Sequence, residues 1–103
     1  MIPVAAFSGK TVAVMGLGKS GLSAAEALAA GGAQVLAWDD SADRRNTAAQ
    51  SGVTLTDIYQ EDWGDVETLV LSPGIPDFFP LPHPIAEKAR DNGCEIICDV
   101  DLL

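Results

Sequence analysis

The stretch that most constrains this chain runs from Val12 to Asp40, VAVMGLGKSGLSAAEALAAGGAQVLAWDD. A short apolar run, Thr11 to Met15, leads at once into glycines spaced Gly16-x-Gly18-x-x-Gly21. A run that short and that rich in β-formers reads as a buried strand. Past the turn, Leu22, Ala25, Leu28 and Ala29 fall on one helical face. This predicts a helix from Ser20 to Ala30, whose alanines allow close approach to a sheet and which Gly31-Gly32 stops. Gln34 to Trp38 then reads as a second strand ending on Asp39-Asp40. Strand, turn, helix and strand make a β-α-β unit, so the two strands are parallel with a right-handed crossover.

The glycine spacing carries a chemical meaning. Gly16 permits the tight turn out of strand one, and Gly18 lacks the Cβ that would hold a phosphate away from the backbone. Gly21 lets the helix pack on the sheet. The N–H groups of Lys19, Ser20 and Gly21, in the first helical turn, lack intrahelical partners and face an anion with the helix dipole behind them. Lys19 adds a side-chain charge and Ser20 a hydroxyl. The context that the motif requires is complete, which favours phosphate binding over a turn kept for packing alone. Asp39 stands at the carboxyl end of strand two, eighteen residues past Gly21. A carboxylate there accepts from a ribose hydroxyl or, equally, from the N3–H of a uracil, and a plain helix-start role stays open too. Asp40 reads as a solvent-facing or capping residue. No Gly-x-x-x-x-Gly-Lys-Ser/Thr run occurs, so ATP hydrolysis is not expected of this piece. The single histidine, His83, sits between prolines and reads as a surface or cap residue, and no nucleophile elbow is present. No catalytic constellation emerges.

The rest of the chain repeats the alternation. Ser41 suits an N-cap for a helix from Ala42 to Gln50, closed by Gly52, and Val53 to Leu55 reads as a short third strand. The acid-rich DIYQEDWGDVE, Asp57 to Glu67, reads as a solvated loop or short helix. Thr68 to Leu71 is a fourth strand. The proline-rich SPGIPDFFPLPHP after it excludes helix and strand alike. Pro84 opens a helix running from Ile85 to Asn92, Glu95 to Cys98 is a fifth strand, and Asp99 reads as the N-cap of another helix. The predicted fold class is α/β: a Rossmann-like parallel sheet of five strands, order 3-2-1-4-5, with helices on both faces.

Composition narrows the partners. The chain has 103 residues, enough for one domain, and a net charge of −9. Such an acidic surface argues against nucleic acid and anionic membrane, while a helix N-terminus still serves one small phosphate ligand. No run of about 18 apolar residues appears, so no membrane span is expected. The N-terminus lacks the pattern of a signal peptide, and a cytoplasmic location is the expectation. Cys94 and Cys98, spaced about 13 Å apart if the intervening residues are extended, cannot pair and read as reduced thiols. Two Cys and one His do not fill a zinc site, so no metal is expected.

The combination FSGKTVAVMGLGKSGLSAAEAL, AWDD, SPGIP and GCEIICDVDLL resembles the first domain of the Mur ligase family, in the branch that adds D-glutamate. The resemblance spans Phe7 to Leu103. It implies a three-domain, ATP- and magnesium-dependent amide-forming ligase of bacterial peptidoglycan synthesis, in which this domain holds the UDP part of UDP-N-acetylmuramoyl-L-alanine. It also implies a central ATP-binding domain and a C-terminal domain, with residues 1–98 as the UDP-binding domain and 99–103 as the start of the connection; the chain stops before any P-loop. Position by position, Leu17, Gly18, Lys19 and Ser20 match the turn that meets the diphosphate. Asp39 matches the acid that contacts uracil, with Asp40 and Ser41 beside it. Ser72, Pro73 and Gly74 match the loop whose glycine lies against the uracil. Some relatives carry a hydroxyl and an arginine after the acid; here Asp40 and Ser41 stand instead, and a stacking guanidinium is either missing or supplied by Arg44 or Arg45. The NAD(P)-binding half of an oxidoreductase and a non-catalytic nucleotide-sensing module remain the alternatives, since this architecture hosts many functions.

Overall fold

A computed structural model describes residues 3–72 and 84–99. After a short 3-10 helix, Val4–Phe7, the elements are β1 (Thr11–Met15), α1 (Lys19–Ala30), β2 (Gln34–Trp38) and α2 (Ala42–Gln50). They continue with β3 (Val66–Leu71), α3 (Pro84–Asp91) and β4 (Glu95–Cys98). All pairings are parallel and the order is β2-β1-β3-β4. β1 aligns Val12 with Val35 on one side and with Thr68 on the other. The chain thus winds outward from β1 in one direction, then crosses back over it to β3. That crossover opens a crevice at the carboxyl ends of β1 and β3.

Among the described residues the sheet has four strands where five were expected. The missing strand is Val53 to Leu55, which survives as a single parallel bridge between Leu55 and Ala37. The cause lies in how α2 ends. The Val53 N–H turns back to the Ala48 carbonyl at 3.1 Å, closing the helix. Thr56 then donates to the Ala37 carbonyl at 3.0 Å, and Asp57 bends the chain away by accepting the Tyr59 N–H at 3.1 Å. With that strand removed, the order of the other four is the one predicted.

Alternate residues of β1 face opposite cores. Val12 and Val14 pack with Leu28 of α1, Ala48 of α2, Val70 and Phe7. Ala13 and Met15 pack with Leu69, Leu71 and the Ile85, Ala86 and Ala89 face of α3. Helices therefore cover both faces, as predicted, with α1 and α2 on one and α3 on the other.

The acidic segment does more than the sequence suggested. Ile58 and Trp63 are 0% and 1% exposed and belong to the α3-side core. Trp63 donates its indole N–H to the Ile58 carbonyl at 2.9 Å, and Lys88 of α3 donates to the Tyr59 carbonyl at 2.9 Å while lying over the Trp63 ring. The acids stay outside while two apolar side chains anchor the segment, each contributing about 2–3 kcal/mol by burial. β3 also starts two residues before its predicted Thr68, at Val66. A register shift between Thr11 and Val12 leaves Glu67 out of the pairing, 3.6 Å from Lys10. Cys94 and Cys98 are both free thiols. The Cys94 thiol donates to the Val66 carbonyl at 3.0 Å, and burial pushes its pKa up.

Candidate functional site

β1, β2, β3 and β4 end at Met15, Trp38, Leu71 and Cys98. The residues that follow each of them converge on the N-terminus of α1. Gly16 has φ +102, a left-handed conformation that glycine adopts without a Cβ clash, and its N–H bonds to the Trp38 carbonyl at 2.9 Å. The turn is thereby hooked onto β2. Gly21 sits so close to the Gly16 carbonyl that a Cβ would overlap its oxygen and lie 3.1 Å from the Ser72 hydroxyl. Gly18, the N-cap of α1, has extended backbone, and among the described residues a Cβ there meets the Arg44 guanidinium alone, at 3.5 Å. One glycine is needed for packing, and the next leaves its backbone approachable.

Asp39 is 6% exposed, and both of its carboxylate oxygens are engaged. Oδ2 accepts the Leu17 N–H at 2.7 Å, and Oδ1 accepts the Ser41 N–H at 2.8 Å. The Arg44 guanidinium stands 3.7 Å from Oδ2, and Arg45 donates to the Asp39 carbonyl at 2.7 Å while its guanidinium lies 4.6 Å over the Trp38 ring. Asp39 therefore ties the glycine turn to the start of α2. A carboxylate oxygen offers more than one lone pair, so each retains an acceptor site. Ser41 caps α2 as predicted, its hydroxyl accepting the Arg44 N–H at 3.4 Å. Asp40 accepts the Tyr59 hydroxyl at 2.6 Å; burial first, then this bond, pushes the Tyr59 phenol up.

On the far side of the turn lies a residue that the sequence reading assigned only to a helix start. Asp99, 6% exposed, accepts the Ser20 hydroxyl at 2.8 Å and lies 3.5 Å from the Ser72 hydroxyl. Ser72 donates to the Gly16 carbonyl as well, at 3.3 Å. The Ser20 hydroxyl is thus turned to Asp99, while Lys19 and Ser20 stand exposed at the start of the helix and Gly21 is buried; first-turn amides of a helix lack intrahelical partners. The available signal was positional: Asp99 follows the apolar run of β4 just as Asp39 follows that of β2.

The structure brings together Leu17, Gly18, Lys19, Ser20, Asp39, Asp40, Ser41 and Ser72 at one edge of the sheet. Pro73, Gly74 and His83 lie outside the described residues. An open hollow of about 640 Å³ borders this edge, between Val4, Lys19, Ser20, Ala27 and Asp99. Among the described residues no group of His, Cys, Asp or Glu has the arrangement of a metal site, and no helix is long and apolar enough to cross a membrane.

A parallel α/β sheet with a glycine turn at its crossover defines a Rossmann-like domain. Comparison with known proteins gives its family. A family model described as the N-terminal domain of MurD-like Mur ligases matches residues 10–98, and the chain belongs to that family. It is 49% identical over 102 residues to the UDP-N-acetylmuramoylalanine--D-glutamate ligase of Phenylobacterium zucineum (strain HLK1), covering 99% of this chain. Proteins of the same name from Caulobacter sp. (strain K31) and Nitrobacter winogradskyi are 48% and 52% identical over the same share. The chain spans 22% of the length of these curated relatives. No solved structure matches it.

Proposed function

We propose that this chain is the UDP-holding first domain of a ligase that joins D-glutamate to UDP-N-acetylmuramoyl-L-alanine in peptidoglycan synthesis. In this reading, residues 1–98 form the binding domain and 99–103 begin the connection to a central ATP-binding domain. The observation that carries the proposal is the outer side of the glycine turn: among the described residues no backbone lies within 4 Å of the Cβ position of Gly18, and this N-cap makes no side-chain cap bond to the first-turn amides of α1. Backbone N–H groups with a helix dipole behind them are suited to a diphosphate. Asp39 then serves twice, holding the Leu17 amide with one lone pair and reading the uracil N3–H with another. By the family resemblance, Ser72, Pro73 and Gly74 are assigned to contact the uracil.

The residues present do not suit ATP with magnesium. The sequence holds no P-loop, and the described residues offer no cluster of oxygen ligands. ATP chemistry is therefore assigned to the remainder of the ligase, and this domain's share is to bind and orient the nucleotide end of the substrate.

Titration of the chain with UDP, NADH and ATP, followed by Trp38 fluorescence, tests the proposal. UDP is expected to bind in preference to the other two. A preference for NADH would return the domain to the oxidoreductases, and indifference to all three would leave a non-catalytic interaction module.

A further inference from the structure

A diphosphate entering a protein of net charge −9 needs local cations, and the six basic residues are unequally free to supply them. Lys10 is paired with Glu67, 3.6 Å away, next to the amino end of β1 and remote from the turn. Lys88 is held on the Ile58 and Tyr59 carbonyls. Arg90 belongs to α3, on the other sheet face. Arg45 donates to the Asp39 carbonyl and covers Trp38. Lys19 and Arg44 remain at the crevice.

Arg44 has the more telling geometry. Its side chain is 60% exposed, and its guanidinium carries Nη1 to within 3.5 Å of the Cβ position of Gly18, the point at which the sequence motif brings a phosphate to the backbone. Its ion pair to Asp39, at 3.7 Å, is long and solvent-exposed on the arginine side, and such pairs contribute little. Asp39 keeps two amide donors without it. Redirecting Arg44 therefore costs little, and its planar fork matches two phosphate oxygens in a way that a lysine cannot.

We infer that Arg44 is a diphosphate-binding arm: its guanidinium closes over Gly18 from α2 and grips the diphosphate oxygens from the side opposite the α1 amides. The inference rests on the UDP reading and adds to it a residue from a second helix. It also separates the two arginines. Arg45 is engaged with the Trp38 ring, whereas Arg44 takes the anion instead of stacking on the base.

The test is the affinity of the chain and of its Arg44→Ala and Arg44→Lys variants for UDP, each at low and high salt, with circular dichroism confirming the fold. Arg44→Ala is expected to weaken UDP binding about tenfold or more at low salt and to make binding less sensitive to salt. Arg44→Lys should keep the salt sensitivity and recover part of the affinity. Unaltered UDP binding by Arg44→Ala would overturn the inference. So would a loss that leaves the salt dependence unchanged, since that marks contact with the base. Failure of the unsubstituted chain to bind UDP at all would instead sink the functional reading on which the inference rests.

Discussion

Gly18 and Gly21 stand three residues apart in one turn, yet a methyl group at Gly21 overlaps the Gly16 carbonyl oxygen, while among the described residues one at Gly18 meets the tip of the Arg44 side chain alone. The inner side of the turn is packed against Gly16 and Ser72 with no room to spare. The outer side is open backbone beside Lys19 and Arg44. The three-glycine motif thus divides into a half that makes the fold and a half whose backbone the described residues leave approachable. The aspartates flanking the turn repeat the contrast. Asp39 is held by two main-chain amides with a guanidinium nearby, whereas Asp99 holds the exposed Ser20 hydroxyl and lies near that of Ser72, which has the Gly16 carbonyl as a second acceptor.

The largest effect should come from breaking the inner side. Gly21→Ala is expected to cost about 4 kcal/mol or more, because backbone must move to admit the methyl, and the variant should lack a cooperative thermal transition. Gly18→Val should keep the fold within about 1 kcal/mol, since its φ is ordinary and the Arg44 tip can give way, yet lose UDP binding. Chemical denaturation and a UDP titration separate the two outcomes. If both variants unfold alike, the division of the turn fails.

The aspartates come next. Asp39→Ala strands the buried Leu17 amide and frees the start of α2, an expected loss of about 3 kcal/mol. Asp99→Ala should cost about 1 kcal/mol, because the Ser72 hydroxyl keeps the Gly16 carbonyl and the Ser20 hydroxyl is near solvent. Equal losses in urea denaturation would erase the difference between them.

The smallest effect concerns Tyr59, which joins the acidic segment to Asp40. Its folded pKa lies above the ordinary value of about 10. Folding therefore favours the protonated phenol, and the contribution is intact below pH about 10 and lost as pH rises beyond it. As Tyr59 is the only tyrosine, phenolate absorbance reports it alone. Native protein should titrate later than denatured protein, and Tyr59→Phe should flatten the alkaline fall in stability.

The first half of the chain was the more legible. β1, β2 and α2 have the predicted bounds, because periodicity, glycine stops and the Ser41 cap all act locally there. Val53 to Leu55 has strand-forming residues, but its pairing was decided by the closing bond of α2 and the bend at Asp57, which residue types do not reveal. Charge density hid the anchoring of Ile58 and Trp63, since two apolar residues separated by five positions show no periodicity among so many acids. At the site, the packing role of Gly21 and the place of Asp39 at the end of β2 were readable from spacing, but the Leu17 and Ser41 amides that Asp39 accepts were not. The place of Arg44 over Gly18 and of Asp99 under Ser20 depends on how α2 and β4 are brought to the turn, which only the assembled sheet determines.

The central claim is that the amides of the glycine turn receive a diphosphate. Amide chemical shifts recorded during a UDP titration test it most directly. The account predicts saturable movement of the Gly18, Lys19, Ser20 and Gly21 signals; shifts confined to other residues, with those four unmoved at saturation, would contradict it.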